Sequence, residues 1–278
     1  MEPYTLEQLS RLRDLGVSEQ ESLKEFPDKN ARDKSFSLLQ KRLVEKARER
    51  VEEMTLKGGQ TRVSLLSQSL ATLLASLGFI EVFSPIIMSR VRLERMGLEN
   101  DPIFSSQVYW LDSKRCLRPM LAPHLYEFML DLIKLKPNGF GLFELGPCFR
   151  KESRGHNHAS EFTMLNLVQV GLPLEERLNR LNQLSALIME RAGLKNWRLE
   201  SVESAIYGQS LDIVSQQGLE LASCSMGPHP LDAQWGFSGS WLGLGLGLER
   251  LAMALEGLDR LTPVGRSLGR LLGVPLRL

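Results

Sequence analysis

The stretch that most constrains the fold runs from Phe143 to Val170 and has the pattern of a β-hairpin with a long, charged tip. In its first arm two sets of residues alternate. The apolar set is Phe143, Leu145 and Phe149, and the second set is Glu144, Gly146 and Cys148. That period of two predicts a strand with one buried face. The return arm has one row of side chains on a single side: Phe162, Met164, Asn166, Val168 and Val170. Asn166 is the polar member of that row, so its amide needs a partner in the protein or in a ligand.

The hairpin tip is rich in hydrogen-bond donors: Lys151, Arg154, His156 and His158, close behind Arg150. Such a group of donors suits an anionic ligand such as a polyphosphate. Charge alone, however, favours an ordinary solvated tip. The two histidines around Asn157 also suggest a metal, but no Cys or carboxylate stands at metal-ligand spacing beside them. If the arm stays extended to its end, Arg150 and Glu152 point to the same side.

Composition places the chain among ordinary globular proteins, with 278 residues, 43% of them hydrophobic and 24% charged, enough for one or two domains. The formal net charge is +1, so any nucleic-acid partner must be held by local basic patches. The three cysteines lie far apart without a CxxC pair, which indicates reduced thiols in an intracellular protein. No signal peptide or apolar run of membrane-spanning length is visible, so we expect a cytoplasmic protein without membrane contact.

Helical patterns dominate the first third of the chain. Leucines at spacing three predict a short helix over residues 4–15, and a longer helix is predicted over about 31–56. Bases outnumber acids over residues 28–62: Lys29, Arg32, Lys34, Lys41, Arg42, Lys46, Arg48, Arg50, Lys57 and Arg62. A solvated helix with i,i+4 pairs explains any one of them. As a group they could contact a phosphate backbone.

Alternating helix and strand patterns continue toward the hairpin and beyond it. An amphipathic helix over 61–77 leads into a strand that ends at Pro85, where the proline is also compatible with a plain edge strand. Pro123 fits the first turn of a helix that carries Ala122, Leu125, Tyr126 and Met129 on one face, a spacing that by default indicates core packing. A helix is predicted over 171–193, and strand-like residues over 197–214 and 219–223.

A second strong pattern is the glycine-rich strand that starts at Trp241 and leads through Gly-Leu-Glu-Arg into a helix. Alternating glycines leave one strand face without side chains, so a flat ligand can lie against the backbone. Arg250 falls in the first turn of the helix. A dinucleotide-binding loop is a weak alternative, because the GxGxxG spacing is absent after Gly245.

The string from Phe149 to Ser153, followed by Glu161 to Asn166, resembles motif 2 of the class II aminoacyl-tRNA synthetases, and specifically the pyrrolysyl-tRNA synthetases. Residues 78–85 resemble motif 1 of that class, and the glycine-rich strand with Arg250 resembles motif 3. The resemblance covers roughly residues 62–254, while the tail 259–278 matches no pattern of the family. It implies an α+β fold with a mostly antiparallel sheet flanked by helices. It also implies one catalytic domain over 1–278 with a helical N-terminal arm at about 1–57, a homodimer through motif 1, and the stand-alone type without a separate tRNA-binding domain.

The same resemblance implies the site. ATP would be bound by Arg150, Glu152, His158, Phe162, Glu220, Leu221, Ser223, Gly245 and Arg250, with Arg150 and Arg250 as the catalytic arginines. Glu220 and Ser223 would hold Mg²⁺. The amino acid would lie among Ala122, Leu125, Tyr126, Met129, Met164, Asn166, Val168, Tyr207, Ser225, Trp241 and Gly243.

The implied activity is pyrrolysine–tRNA ligation: adenylate formation from pyrrolysine and ATP, then transfer to the cognate tRNA. Two alternatives stay open at this point, a phenylalanyl-like class II synthetase and a non-catalytic synthetase-like binding module. The retained Arg150, Glu152, Glu220 and Arg250 argue against the binding module, which needs neither both phosphate arginines nor a metal-binding acid.

Overall fold

The computed structural model describes residues 1–98, 102–151, 158–204 and 206–278. Its helices are α1 (Leu6–Asp14), α2 (Glu19–Ser22), α3 (Lys29–Lys57), α4 (Arg62–Ser76), α5 (Arg90–Glu94), α6 (Pro102–Gln107), α7 (Ala122–Leu135), α8 (Arg177–Ala192), α9 (Asp232–Trp235) and α10 (Leu248–Leu255). Its strands are β1 (Glu2–Pro3), β2 (Glu25–Phe26), β3 (Phe79–Glu81), β4 (Ile87–Ser89), β5 (Arg115–Leu117), β6 (Phe140–Phe149), β7 (Glu161–Val170), β8 (Trp197–Ser204), β9 (Gly208–Ser215), β10 (Glu220–Gly227), β11 (Trp241–Gly247), β12 (Arg270–Leu271) and β13 (Val274–Pro275). By internal contacts the chain divides into two units, residues 1–61 with 266–278, and residues 62–265.

The first unit is built on the two predicted N-terminal helices. Thr5 caps α1 in a capping box with Gln8, so two exposed backbone donors at the helix start are satisfied. Asp28 caps α3, which ends at Lys57 and is followed by Gly58 with φ +72°, a conformation that glycine adopts without strain. The apolar faces of these helices meet in a small core around Leu12, Leu39 and Leu43, which holds the unit together.

The second unit is organised by a seven-stranded sheet with the order β3-β6-β7-β11-β10-β9-β8. Neighbouring strands pair antiparallel, except that β3 pairs parallel with β6 at the sheet edge. The predicted α+β fold with a mostly antiparallel sheet flanked by helices is therefore confirmed. The predicted hairpin is confirmed as well, and its two strands pair from Phe140 with Val170 to Phe149 with Glu161.

Both faces of the sheet are covered, and the side chains of β7 point alternately to one face and the other. Leu165 and Leu167 point into a core shared with α4, α8 and α10. Val168 and Val170, of opposite parity, pack in a second core with residues of α7. The row that contains Asn166 thus faces α7, and this side of the sheet carries the candidate site.

The prediction of one buried face for the first hairpin arm was wrong. Leu142 and Phe143 are successive residues that point into different cores, and both are buried. Glu144 is 0% exposed because a buried arginine, described below, covers it. A pattern of alternating residues identifies the strand, but it does not show that a charged residue in the second row is buried as well.

None of the helices in the described ranges is both long enough and apolar enough to cross a lipid bilayer.

Candidate active site

A cavity of about 270 Å³ opens on the α7 side of the sheet, within the second unit. It is lined by the predicted site residues that the structure describes: Ala122, Leu125, Tyr126, Met129, Arg150, His158, Phe162, Met164, Asn166, Val168, Tyr207, Glu220, Leu221, Ser223, Ser225, Trp241, Gly243, Gly245 and Arg250. Glu152 lies outside the described residues, as do Arg154 and His156. Residues far apart in sequence therefore meet in one pocket, with charged side chains at one end and aromatic ones at the other.

Arg150 stands at the charged end, just after β6. Its Nε donates a hydrogen bond to the Pro119 carbonyl at 2.9 Å. Its guanidinium carbon lies 5.4 Å from the centre of the Phe162 ring, a cation–π distance. The carbonyl and the ring restrict the guanidinium to one orientation at the cavity wall. His158 also lines the cavity. It is exposed and lies three residues before the start of β7.

Glu220, Ser223 and Arg250 form the opposite wall of the charged end. Glu220 and Ser223 are three residues apart on β10, and a regular strand would send them to opposite faces. The pairing of β10 with β9 shifts register between Glu220 and Ala222, and this bulge lets both side chains line the cavity. The Glu220 carboxylate lies 3.2 Å from Arg250 Nη1.

The oxygen ligands at this wall suit Mg²⁺. Mg²⁺ in nucleotide sites is usually held by one or two protein oxygens, with substrate phosphates and water completing its shell. The half-exposed carboxylate of Glu220 and the hydroxyl of Ser223 on the same wall supply such a pair. Among the residues that the structure describes, no group of three His, Cys, Asp or Glu side chains is arranged to hold a metal without a substrate.

Glycines of β11 form the floor between the two ends. A Cβ added at Gly245 would lie 2.6 Å from Oδ1 of Asn166, far inside contact distance. Only glycine at this position lets the Asn166 amide lie across the neighbouring strand. Within the described part of the chain, the Asn166 side chain makes no hydrogen bond and is partly exposed to the cavity. The amide predicted to need a partner is thus placed to meet a ligand.

Aromatic side chains form the other end of the cavity. Tyr126 stacks on Trp235 with ring centres 5.1 Å apart, and its edge contacts Trp241 at 5.8 Å. The Tyr207 ring lies 6.0 Å from Trp241. Burial raises the pKa of both phenols, and for Tyr126 the neighbouring Tyr207 and Asp232 add to the shift. Both phenols are therefore neutral at physiological pH, and this end of the cavity brings no charge from them.

A buried polar cluster supports both ends of the cavity. Arg118 and Glu144 are 1% and 0% exposed and form an ion pair of 2.7 Å. Arg118 also donates to the Pro147 carbonyl at 2.8 Å and to Ser84 Oγ at 3.0 Å. Ser84 in turn donates to Glu144 at 2.7 Å and bonds His124 Nδ1 at 2.9 Å. Arg118 directly precedes Pro119, whose carbonyl accepts from Arg150, and His124 lies in α7, so the cluster is connected to elements of both ends.

His124 is a neutral member of that cluster. Burial lowers the pKa of its imidazole, and the nearby Arg92 and Arg118 charges lower it further. Ser84 already gives its proton to Glu144 and accepts from Arg118, so Nδ1 of His124 carries the hydrogen that bonds Ser84 Oγ. The imidazole thus completes the cluster as a donor without adding a second positive charge beside Arg118.

Several residues near the cavity were not predicted from the sequence. Met120, Ser204, Ile206 and Glu249 line it. Glu249 is 3% exposed and accepts hydrogen bonds from the backbone and the hydroxyl of Thr163, at 2.8 and 3.0 Å. It thereby ties the start of α10 to β7. Its place in Gly-Leu-Glu-Arg, directly before Arg250, was the one signal in the sequence that could have identified it.

Comparisons with known proteins identify the family of the chain. Residues 48–212 match the family described as the phenylalanyl tRNA synthetase beta chain CLM domain. A pyrrolysyl tRNA synthetase structure from Desulfitobacterium hafniense is 38% identical, with a TM-score of 0.91 over 100% of this chain and 96% of that one. A second pyrrolysyl-tRNA synthetase structure from the same organism is 39% identical, with a TM-score of 0.93 over 100% of this chain and 99% of that one. The chain belongs to the pyrrolysyl-tRNA synthetase family of class II aminoacyl-tRNA synthetases.

Proposed function

We propose that this chain is a pyrrolysine–tRNA ligase, which activates pyrrolysine with ATP and transfers it to its cognate tRNA. The observation that carries the proposal is that, among the described residues, Arg150 and Arg250 line the same cavity as the Asn166 amide and a group of apolar and aromatic side chains. Two relatives that match the whole chain are pyrrolysyl-tRNA synthetases. The proposed reaction needs both ends in one pocket, because the carboxylate of the amino acid must reach the α-phosphate of ATP.

In the first step, a carboxylate oxygen of the amino acid attacks the α-phosphorus, the bond to the β-phosphate oxygen breaks, and pyrophosphate leaves. The protein contributes position and charge rather than a nucleophile. Arg150 would hold the α-phosphate, where negative charge increases during attack. Arg250 would hold the γ-phosphate and His158 the bent triphosphate, so that pyrophosphate leaves in line.

The adenine ring would lie on Phe162, on the face opposite the Arg150 guanidinium, with Glu152 accepting from the adenine amino group. Leu221 and Gly245 would contact the nucleotide from the floor. Glu220 and Ser223 would hold Mg²⁺, which neutralises phosphate charge when it is bound. Since Glu220 pairs with Arg250 at 3.2 Å, we expect nucleotide binding to replace this ion pair, with Arg250 contacting the triphosphate and Glu220 contacting Mg²⁺.

The amino acid would enter the aromatic end with its side chain. The Asn166 amide would donate to the carbonyl of an acylated lysine side chain, and Tyr207 would cover the far end. The remaining walls would contact the aliphatic chain and the ring: Ala122, Leu125, Tyr126, Met129, Met164, Val168, Ser225, Trp241 and Gly243. A free lysine ammonium would lose its hydration at this end, and no carboxylate among the described residues that line it would compensate for the loss. Lysine should therefore be rejected.

The second step transfers the acyl group to the terminal hydroxyl of tRNA, whose oxygen attacks the adenylate carbonyl and releases AMP. A phenylalanyl-like specificity is not favoured. Phenylalanine offers no carbonyl for Asn166, and the pocket extends beyond that amide to Tyr207. The match to a phenylalanyl family covers residues 48–212, a range that includes the resemblances to motifs 1 and 2 but not the one to motif 3.

The same proposal includes a homodimer in the cytoplasm. Around the motif 1 region the surface is apolar: Phe83 is 91% exposed, and Ile80, Ile86 and Ile87 are each more than 40% exposed. Exposed apolar side chains grouped in this way are typical of a surface that another protein covers. Multi-angle light scattering should give a dimer mass for the wild type and a monomer mass for Phe83→Asp, and a monomeric wild type would contradict this part of the proposal.

The direct test of the function is aminoacylation. Purified protein with ATP, Mg²⁺ and a pyrrolysine tRNA should form an ester-linked, base-labile aminoacyl-tRNA with pyrrolysine. Lysine and phenylalanine in the same assay should give none. Charging of the tRNA with phenylalanine in preference to pyrrolysine would replace this proposal by the phenylalanyl-like alternative.

A further inference from the structure

The short segment from His229 to Asp232, which joins β10 to α9, has no role in the reaction described above. Asp232 is nonetheless a carboxylate only 2% exposed, and it does not line the cavity itself. Its Oδ1 accepts a hydrogen bond from the Tyr126 hydroxyl at 2.8 Å. Its Oδ2 accepts from Trp241 Nε1 at 2.9 Å. One buried carboxylate thus fixes two cavity walls that come from different elements, α7 and β11.

His229 connects the same carboxylate to a third wall. Its backbone N–H donates to Oδ2 of Asp232 at 2.7 Å. Its ring Nδ1 accepts from the backbone N–H of Leu231 at 3.1 Å, so Nδ1 carries no proton. The hydrogen of the neutral ring is therefore on Nε2, which donates to the Tyr207 carbonyl at 2.9 Å. The ring centres of His229 and Tyr207 lie 5.6 Å apart.

Three aromatic walls, Tyr126, Trp241 and Tyr207, are consequently held by one short segment. Tyr207 lies in the turn between β8 and β9, and Ser204 Oγ accepts from its backbone N–H at 3.3 Å. In the described part of the chain, the His229 bond joins the backbone of this turn to the segment carrying Asp232, while the Tyr207 ring also contacts Trp241. Loss of that bond would let the turn shift relative to Trp241, and the space for the tip of the substrate side chain would no longer be fixed.

We propose that His229 and Asp232 are positioning residues that set the size of the acyl group accepted at the aromatic end of the cavity. This inference rests on the proposed function, because it concerns the amino-acid side chain of that reaction. Neither residue lines the cavity, and the charged side chains at the nucleotide end come from β10, α10 and the connection between β6 and β7 that holds Arg150 and His158. A defect in either residue should therefore affect amino-acid selection and leave ATP binding unchanged.

The test compares pyrophosphate exchange with Nε-acetyl-lysine, as the short acyl group, and Nε-(cyclopentylcarbonyl)-lysine, as the bulky one. The variants are Asp232→Asn, His229→Leu and His229→Gln, of which the last keeps a side-chain donor in reach of the Tyr207 carbonyl. Asp131→Asn is the matched control, because Asp131 lies on α7 with a side chain that is 82% exposed. Melting temperature is recorded for each protein, so that a loss of folded enzyme is separated from a change of selectivity.

The selectivity ratio is the kcat/KM for the bulky substrate divided by the kcat/KM for the short substrate. In His229→Leu and Asp232→Asn we expect it to fall at least fivefold, because the KM for the bulky substrate rises. The KM for ATP should stay within twofold of the wild type. His229→Gln should recover most of the ratio, and Asp131→Asn should match the wild type.

An unchanged ratio in folded His229→Leu would overturn the inference. So would an equal loss of kcat for both substrates, which indicates a merely structural role. If Asp232→Asn does not fold, the comparison of His229→Leu with His229→Gln decides alone. A wild type that activates neither acyl-lysine would instead contradict the proposed function, and this inference would be overturned with it.

Discussion

The two ends of the cavity are built by opposite means. At the end that we propose binds the nucleotide, the charged side chains of Arg150, Glu220 and Arg250 line the cavity itself. At the end that we propose binds the amino acid, Tyr126 and Trp241 are 3% exposed each, and their polar atoms donate hydrogen bonds to the buried carboxylate of Asp232 behind the wall. The charged side chains of the first end line the cavity, whereas the carboxylate of Asp232 at the second end lies behind the wall and does not line it.

This difference separates the parts of the proposed reaction. A triphosphate brings its own charge, so exposed arginines and a carboxylate suited to Mg²⁺ are what it requires. An acylated lysine side chain is neutral and brings a single carbonyl, so apolar walls with one amide are sufficient. A variant at one end should therefore change the kinetics of one substrate. A variant in the buried polar cluster of Arg118 and Glu144 should change the kinetics of both substrates.

The largest effect is expected at the buried cluster that supports both ends. Arg118→Met leaves Glu144 0% exposed without its ion-pair partner. Breaking a buried pair in this way costs about 3–5 kcal/mol of unfolding free energy. Urea denaturation should show this loss, and the double variant Arg118→Met with Glu144→Gln should recover part of it. A loss below about 1 kcal/mol for the single variant would mean that the pair is not needed for stability.

The next effect concerns the nucleotide end alone. Arg150→Ala should abolish adenylate formation while the protein stays folded, because we propose that this arginine holds the α-phosphate, where charge develops in the transition state. Removing one such donor costs on the order of 3 kcal/mol or more, which is at least a hundredfold in rate. Arg115→Ala, an exposed arginine 60% accessible, is the control. Exchange activity of Arg150→Ala within about threefold of the wild type would refute the role given to Arg150.

The third prediction addresses the amino-acid end. Asn166→Ala removes the amide that faces the cavity and leaves space beside Gly245. Use of an Nε-acyl-lysine should fall roughly tenfold, the equivalent of a hydrogen bond of about 1.4 kcal/mol. The added space should favour a substituted phenylalanine. Exchange kinetics of the wild type and of Asn166→Ala with an Nε-acyl-lysine, lysine and that phenylalanine rank the three substrates. The same ranking in both proteins would contradict this prediction.

The smallest effect is expected in the first unit, on tRNA. Lys41, Arg42 and Lys46 of α3 are exposed, and Arg42 pairs with Glu21. Replacing the three bases by glutamine should weaken tRNA charging by roughly three- to tenfold, more at low salt, because phosphate contacts release counterions. Pyrophosphate exchange should stay unchanged. Glu21→Gln controls for loss of the ion pair, and an equal fall of both reactions would mean that the basic residues are structural.

The sequence predicted most strands and helices of the site, but the strand-like residues 197–214 form two antiparallel strands, β8 and β9, and the helix predicted from residue 171 begins at Arg177. The hairpin arms, the helix after Pro123 and the glycine-rich strand all formed, because each carries a regular period and clear breakers. The residues assigned from the synthetase motifs line one cavity wherever the structure describes them. Their individual roles stay predictions, since position in a cavity does not by itself distinguish a phosphate contact from a wall.

The polar residues that support the site could not be predicted in the same way. Glu144 stands in a strand row beside Gly146 and Cys148, and nothing local shows that Arg118, 26 residues earlier, covers it. Asp232 contacts Tyr126 across 106 residues of chain. Burial of such carboxylates depends on long-range packing, which a period of two or of 3.6 does not encode.

The central claim, that the two ends together select an acylated lysine for activation, is tested most directly by ATP–pyrophosphate exchange across a panel of amino acids. The wild type should exchange with pyrrolysine and other Nε-acyl-lysines and show no exchange above background with lysine. Phenylalanine should be at least a hundredfold poorer in kcat/KM than pyrrolysine. Exchange driven by lysine or phenylalanine as efficiently as by pyrrolysine would contradict the account.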